Sequence, residues 1–159
     1  KLIKMGGRKM STEYSVRLIN YEELRGLLDL YRHFDHDDPI LEDSKELKDL
    51  WDAIYNDPNL YYIVAEKDGM LLATCNITII KNLTRSARPY GLIENVVTHK
   101  EYRNKGLGKQ VIKQAVEIAR SKGCYKEMLL TGSKKEETLN FYRSCGFRDD
   151  IKTGFYMAL

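Results

Sequence analysis

Cysteine and proline are scarce in this chain, with three of each among 159 residues. Cys75, Cys124 and Cys145 are odd in number and contain no close pair, which argues against a disulfide framework and against a zinc site. Reduced thiols are expected, and Cys145 reads as a small hydrophobe rather than a nucleophile. No Pro- or Gly-rich tract, repeat or low-complexity segment divides the chain, so one domain is expected. No apolar run approaches the roughly 20 residues of a spanning helix, and no hydrophobic signal segment precedes the first strand-like run. The net charge of +3 is too small to argue for a nucleic-acid partner. A cytoplasmic protein with neither a membrane nor a nucleic-acid partner follows as the expectation. What is present is 43% apolar and 31% charged residues, the balance of a globular domain with a sizeable core.

Lys1 to Met10 is basic and aperiodic and is read as a tag or disordered leader, with the domain spanning 11–159. Tyr14 to Leu18 alternates as a strand, and Tyr21 to Tyr31 carries Leu24, Leu27, Leu28 and Tyr31 at helical spacing. A second helix is expected after Ser44, with Leu47, Leu50, Trp51 and Ile54 on one stripe. Two β-branched runs, Leu60 to Glu66 and Met70 to Ile80, flank Lys67-Asp68-Gly69, and Asp-Gly signals a hairpin. Gly91 to Thr98 reads as a further strand. Leu107, Val111, Ala115 and Ile118 mark a third helix that stops at Gly123. Glu127 to Thr131 is the next strand, Ser133 to Glu136 has the form of a capping box opening a helix through Tyr142, and Lys152 to Leu159 is expected as a final strand. This order implies the α/β class: a mixed, mostly antiparallel sheet flanked by helices, with one strand-helix-strand crossover.

The chemistry concentrates at Arg103-Asn104-Lys105-Gly106-Leu107-Gly108, between a strand and the start of a helix. Two glycines remove side chains where an anion must approach backbone N–H groups. Arg103, Lys105 and Lys109 add positive charge beside the positive end of the helix dipole. A Walker loop fails here because Gln110 follows Gly108-Lys109 and Arg103 stands where the first glycine belongs. A dinucleotide fingerprint fails because Val111 occupies its third small position.

The remaining pattern, Arg-x-x-Gly-x-Gly, resembles the acetyl-CoA loop of the GNAT superfamily of N-acetyltransferases. The resemblance extends over Ile93-Glu94-Asn95-Val96-Val97, Tyr102 to Lys109, Gly123 to Lys126, and Phe141-Tyr142-Arg143-Ser144-Cys145-Gly146-Phe147. The Gly-Cys-Tyr-Lys and Cys-Gly-Phe details are most similar to the glucosamine-6-phosphate N-acetyltransferase branch. The resemblance implies a GNAT-like fold whose strands four and five splay apart, acetyl-CoA as cosubstrate and no metal. It implies that Arg103, Asn104, Lys105, Gly106, Leu107, Gly108 and Lys109 bind the pyrophosphate. The main chain of Val96, Val97 and Thr98 is implied to pair with the pantetheine arm and polarise the acetyl carbonyl. Tyr142 is implied as general acid, and Glu94 as acceptor-binding group or water-linked base. Glu94 and Asn95 are adjacent on a strand and are therefore expected on opposite faces.

The reaction implied is direct attack of a primary amine on the thioester in a ternary complex. A small-molecule amine is the first acceptor, with an amino-sugar phosphate as the specific candidate. A protein or peptide amine, or a non-catalytic acyl-CoA-binding module, are the other readings. A homodimer is a further implication of the family. The chain departs from the amino-sugar branch at Asn95, where that branch carries Asp, at Leu130-Thr131-Gly132, where it carries Leu-Asp-Cys, and at Thr138, where it carries Asn. His33, Asp35, His36, Asp37 and Asp38 match no metal-ligand spacing and read as a polar lid between helices. Arg85 and Arg88 read as loop arginines, with an acceptor phosphate as the alternative partner.

Overall fold

The computed structural model describes residues 14–34 and 39–159. The leader expected over Lys1 to Met10, and Asp35, His36, Asp37 and Asp38 of the lid, lie outside the described residues. The elements run β1 (Ser15–Leu18), α1 (Leu24–Tyr31), α2 (Lys45–Tyr55), β2 (Leu60–Lys67), β3 (Met70–Ile80), β4 (Tyr90–Thr98), α3 (Leu107–Ser121), β5 (Glu127–Leu129) and α4 (Glu136–Ser144). A 3-10 turn, Tyr21–Glu23, leads into α1, and another, Lys100–Tyr102, follows β4. The five strands lie in sequence order, antiparallel from β1 to β4 and parallel between β4 and β5.

Local chemistry accounts for most of these boundaries. The β2–β3 turn puts Asp68 at φ 53° and Gly69 at φ 81°, the two left-handed residues that match the twist of a hairpin. Ser44 starts α2 by accepting the Leu47 N–H on its Oγ at 3.0 Å. The apolar stripe of α3 buries Leu107, Val111, Ile112, Ala115 and Ala119. With Ile63, Ala65, Leu72, Cys75, Ile77 and Ile93 it forms the core on one face of the sheet. On the other face Leu27 and Leu30 of α1 and Trp51 of α2 pack on Val64, Leu71 and Val97. Trp51 is held there by its Nε1–H, which donates to the Tyr21 carbonyl at 2.9 Å. Each fully buried Leu or Ile contributes about 1.5–3 kcal/mol, so the two faces together set the position of β4.

Three expectations are corrected. Residues 152–159 form no strand, and Phe155 and Tyr156 are 93% and 91% exposed. Alternation specifies a side-chain pattern but not a ladder, and β5, which stops at Leu129 rather than Thr131, offers only a short edge. The capping box does not form: α4 begins at Glu136 with Lys135 as its cap. Ser133 instead donates its hydroxyl to Thr138 at 3.1 Å and accepts the Lys135 N–H at 3.3 Å, building a turn one step before the helix.

The third correction bears on the site. Thr74 pairs with Val97 and Asn76 with Glu94, so Cys75 alone opposes both Asn95 and Val96. This is a β-bulge, with Asn95 at φ 53°. The extra residue breaks the two-residue alternation. Glu94 and Asn95 are both exposed, Val96 joins the α3-side core, and Val97 joins the core under α1. Asn tolerates a left-handed conformation that a β-branched residue does not. Asn95→Gly is therefore expected to hold stability within a few tenths of a kcal/mol, and Asn95→Val to cost on the order of 1–2 kcal/mol, read from urea midpoints. A valine variant as stable as the parent excludes the bulge.

Candidate functional site

The sheet opens at one place. β4 and β5 pair only over Gly91–Glu127, Leu92–Met128 and Ile93–Leu129, while β4 continues to Thr98. Among the described residues, no strand lies beside the β5-facing edge of β4 from Glu94 onward, so the backbone groups on that edge are outside the ladder. The bulge at Asn95 lies within this stretch and bends it.

The chain then turns through Lys100–Tyr102 into the glycine loop. Asn104 (φ 60°) and Gly106 (φ 81°) both take left-handed conformations, and Gly106 caps α3 with no side chain. The Gln110 N–H to Gly106 carbonyl bond, 3.1 Å, begins the helix. The N–H groups of Leu107, Gly108 and Lys109 therefore have no carbonyl one turn back, and they collect at the positive end of the helix. A Cβ on Gly108 would stand 3.1 Å from Phe141 Cζ and 3.3 Å from Thr98 Oγ1. The end of β4, the start of α3 and the inner face of α4 thus meet at one glycine.

Tyr142 follows Phe141 on α4 and packs between Phe141 and Phe147, with ring centroids 5.1 and 6.5 Å away. Burial pushes its phenol above the ordinary range, and Cys145, Cys75 and Glu94 add to the shift. The phenol is therefore a neutral donor at physiological pH. Among the predicted site residues, the fold brings Thr98, Gly108, Tyr142 and Glu94 into one region, with Val96 and Val97 on the adjoining strand edge. Leu107 differs from its neighbours: its side chain is 1% exposed and belongs to the core, so only its backbone faces the loop.

The cations have specific placements. Arg103 donates from Nη2 to the His33 carbonyl at 2.8 Å and from Nε to the Thr98 carbonyl at 3.3 Å. Lys105 Nζ sits 4.5 Å from the centre of the Tyr102 ring, and Lys109 is exposed. Arg88 is an exposed loop residue that donates to the carbonyls of Gly123 (3.1 Å) and Cys124 (3.0 Å), pinning the β3–β4 loop to the end of α3. Arg85 lies over the Tyr125 ring, with its guanidinium carbon 6.0 Å from the centroid. Burial raises the thiol pKa of Cys75, Cys124 and Cys145, so none is a ready thiolate.

Several residues near this opening carried no motif in the sequence. Tyr62, Asn76 and Glu94 are register partners across β2, β3 and β4, which sets their side chains in one row on the α1 face. Asn76 is 7% exposed, and its Oδ1 is sealed from solvent without a hydrogen bond. The Tyr31 hydroxyl, from α1, is also sealed without a bond of good geometry. A polar pair at strand-interior positions where a core strand would carry Val or Ile was the available signal.

A model of the acetyltransferase (GNAT) family matches residues 27–147. The chain belongs to the GNAT family. Curated relatives include the glucosamine 6-phosphate N-acetyltransferase of Trypanosoma brucei brucei, 42% identical over 80 residues that make up 50% of this chain and 52% of that protein. The chain therefore matches about half of that relative's length. Among solved structures, a protein of Agrobacterium tumefaciens str. C58 is 41% identical with a TM-score of 0.85, covering 91% of this chain and 99% of the other. The glucosamine-6-phosphate N-acetyltransferase of Arabidopsis thaliana has a TM-score of 0.76 at 26% identity, covering 92% and 99%.

For this GNAT domain the loop conformation is itself testable. A Cβ on Gly106 would meet nothing within 4 Å, so Gly106→Ala bears only the left-handed backbone cost, on the order of 1 kcal/mol. Gly106→Asn is expected to regain most of it in thermal melts. Equal stability of the parent and the alanine variant excludes this loop geometry.

Proposed function

We propose that this protein transfers an acetyl group from acetyl-CoA to the primary amine of a small molecule, with an amino-sugar phosphate as the specific acceptor. The observation that carries the reading is the coincidence, at Gly108, of an unpaired β4 edge, a bare helix start and the α4 segment that bears Tyr142. These features fit coenzyme A in kind. The extended arm needs an open strand edge, and the diphosphate needs convergent N–H groups with cations nearby.

In this reading the N–H groups of Leu107, Gly108 and Lys109 hold the diphosphate, with charge from Arg103, Lys105 and Lys109. The main chain of Val96, Val97 and Thr98 pairs with the arm, and one strand N–H polarises the acyl carbonyl. Bound acetyl-CoA supplies the activated acyl group as a thioester. Glu94, exposed on the lip of the opening, accepts a proton from the acceptor ammonium directly or through water, freeing the lone pair for attack. Tyr142 gives its phenolic proton to the departing thiolate and regains one from solvent. No enzyme nucleophile takes part, in keeping with three protonated thiols. The acceptor class rests on the names of the relatives and on the position of Glu94 beside a polar row.

Tyr142→Phe is expected to lower kcat on the order of 10²–10³-fold while leaving the acetyl-CoA Kd within about twofold. Because burial raises the Tyr142 pKa, its proton stays in place below the ordinary phenol value, and the alkaline loss of kcat from this group lies above about pH 10. Unchanged turnover at saturating substrates removes Tyr142 from the mechanism. For the acceptor, thiol release from acetyl-CoA is followed across an amine panel that includes glucosamine 6-phosphate, which is expected to react fastest. Labelling of a protein lysine with no small amine reacting replaces the acceptor class. Tight acetyl-CoA binding without any turnover leaves a binding module.

A further inference from the structure

Among the described residues, the end of α1 meets the glycine loop at His33, which has no part in the proposed reaction. Its carbonyl accepts Arg103 Nη2 at 2.8 Å, and its ring Nδ1 accepts the Lys100 N–H at 3.3 Å. The ring also lies 3.9 Å, centroid to centroid, from that of His99. His99 in turn accepts the Glu101 N–H on Nδ1 at 3.3 Å and meets the Tyr102 ring edge-on at 5.3 Å. Tyr102 carries Lys105 Nζ over its face at 4.5 Å. An unbroken series of contacts therefore leads from α1 to both basic residues of the loop, Arg103 and Lys105.

The other end of this series is the acceptor half. α1 covers the sheet face where Tyr62, Asn76 and Glu94 form their row, and Tyr31 of α1 seals its hydroxyl there, close enough to Tyr62 to shift its pKa. Leu27 and Leu30 hold the helix on Val97 of the same bulged strand. α1 thus touches the acceptor row with its last turn, and His33, two residues past its end, touches the coenzyme loop.

We propose that His33 is a positioning residue that couples the two substrate halves: by fixing Lys100 and Arg103 it pre-forms the coenzyme loop, and the filled loop in turn seats α1 over the acceptor row. The inference rests on the reading of this loop as the coenzyme site. Coupling of this kind is reciprocal, so the same contacts that tighten acetyl-CoA steady α1 over the acceptor row. The side chain contributes one neutral hydrogen bond and one ring contact, which sets the expected size at about five- to tenfold in affinity.

The test compares His33→Ala and His33→Asn in the full chain, the asparagine Oδ1 standing near where the imidazole Nδ1 accepts the Lys100 N–H. By calorimetry, His33→Ala is expected to weaken acetyl-CoA about five- to tenfold and His33→Asn to restore it to within about twofold, with kcat at saturation of both substrates little changed. A folded alanine variant with parental affinity, or an asparagine variant as weak as the alanine one, overturns the inference alone. Absence of acetyl-CoA binding to the parent overturns the coenzyme reading as well. Hydrogen exchange on the parent needs no variant: acetyl-CoA is expected to slow exchange over residues 29–34 as well as in the loop. Protection confined to the loop overturns the coupling.

Discussion

Every feature of the site is placed by the parting of β4 from β5. A strand in the middle of a sheet has both edges taken, yet β4 loses one neighbour after Ile93 and keeps the other through Thr98. Unmade backbone hydrogen bonds inside a fold are costly, so such an opening persists only where packing holds the strands from both sides. Here α3 clamps one face through Leu107, Val111 and Ala115, and α1 clamps the other through Leu27 and Leu30. The hydrophobic cores thus keep polar backbone exposed at a chosen edge, and β4 leads from that edge into the glycine loop.

The loop adds charge to this opening without a buried ion. Three N–H groups collect at the helix start, Arg103 donates to two carbonyls, and Lys105 lies over an aromatic face. The loop's shape therefore depends on residues from β4 and from the end of α1, elements remote in sequence.

The proposed acceptor half is built differently. Tyr62, Asn76 and Glu94 interrupt an otherwise apolar sheet face, the Asn76 Oδ1 is sealed there without a hydrogen bond, and the Tyr31 hydroxyl is buried beside Tyr62. Asn95, Thr131 and Thr138 stand where the amino-sugar branch carries carboxylate, carboxylate and amide, which leaves Glu94 as the carboxylate of this row.

Much of this architecture was legible before any coordinates. Period-two and period-3.6 spacing located the first four strands and the core-facing stripe of α3, because burial imposes those periods on one face of each element. Asp68-Gly69 and Gly106 announced turns because few other residues accept a positive φ there. Arg103 to Gly108 announced a bare, basic helix start, because its glycines and cations are visible in the sequence itself. The bulge at Asn95 was not legible, since it arises from a mismatch in length between two paired strands and one strand alone does not record it. The tail beyond Ile151 and the start of α4 differ from expectation for a related reason: a strand and a capping pattern each require a partner, and the partner's availability is a tertiary fact. Asn76, His33 and His99 belong to no motif, and their roles come from neighbours as far as 70 residues away in the chain. Sequence determined most of the strands and helices and where a bare, basic helix start lies, because those are local matters of burial period and backbone freedom. Tertiary structure alone decided where the sheet opens and which side chains face the opening, because both depend on distances between elements that no single segment encodes.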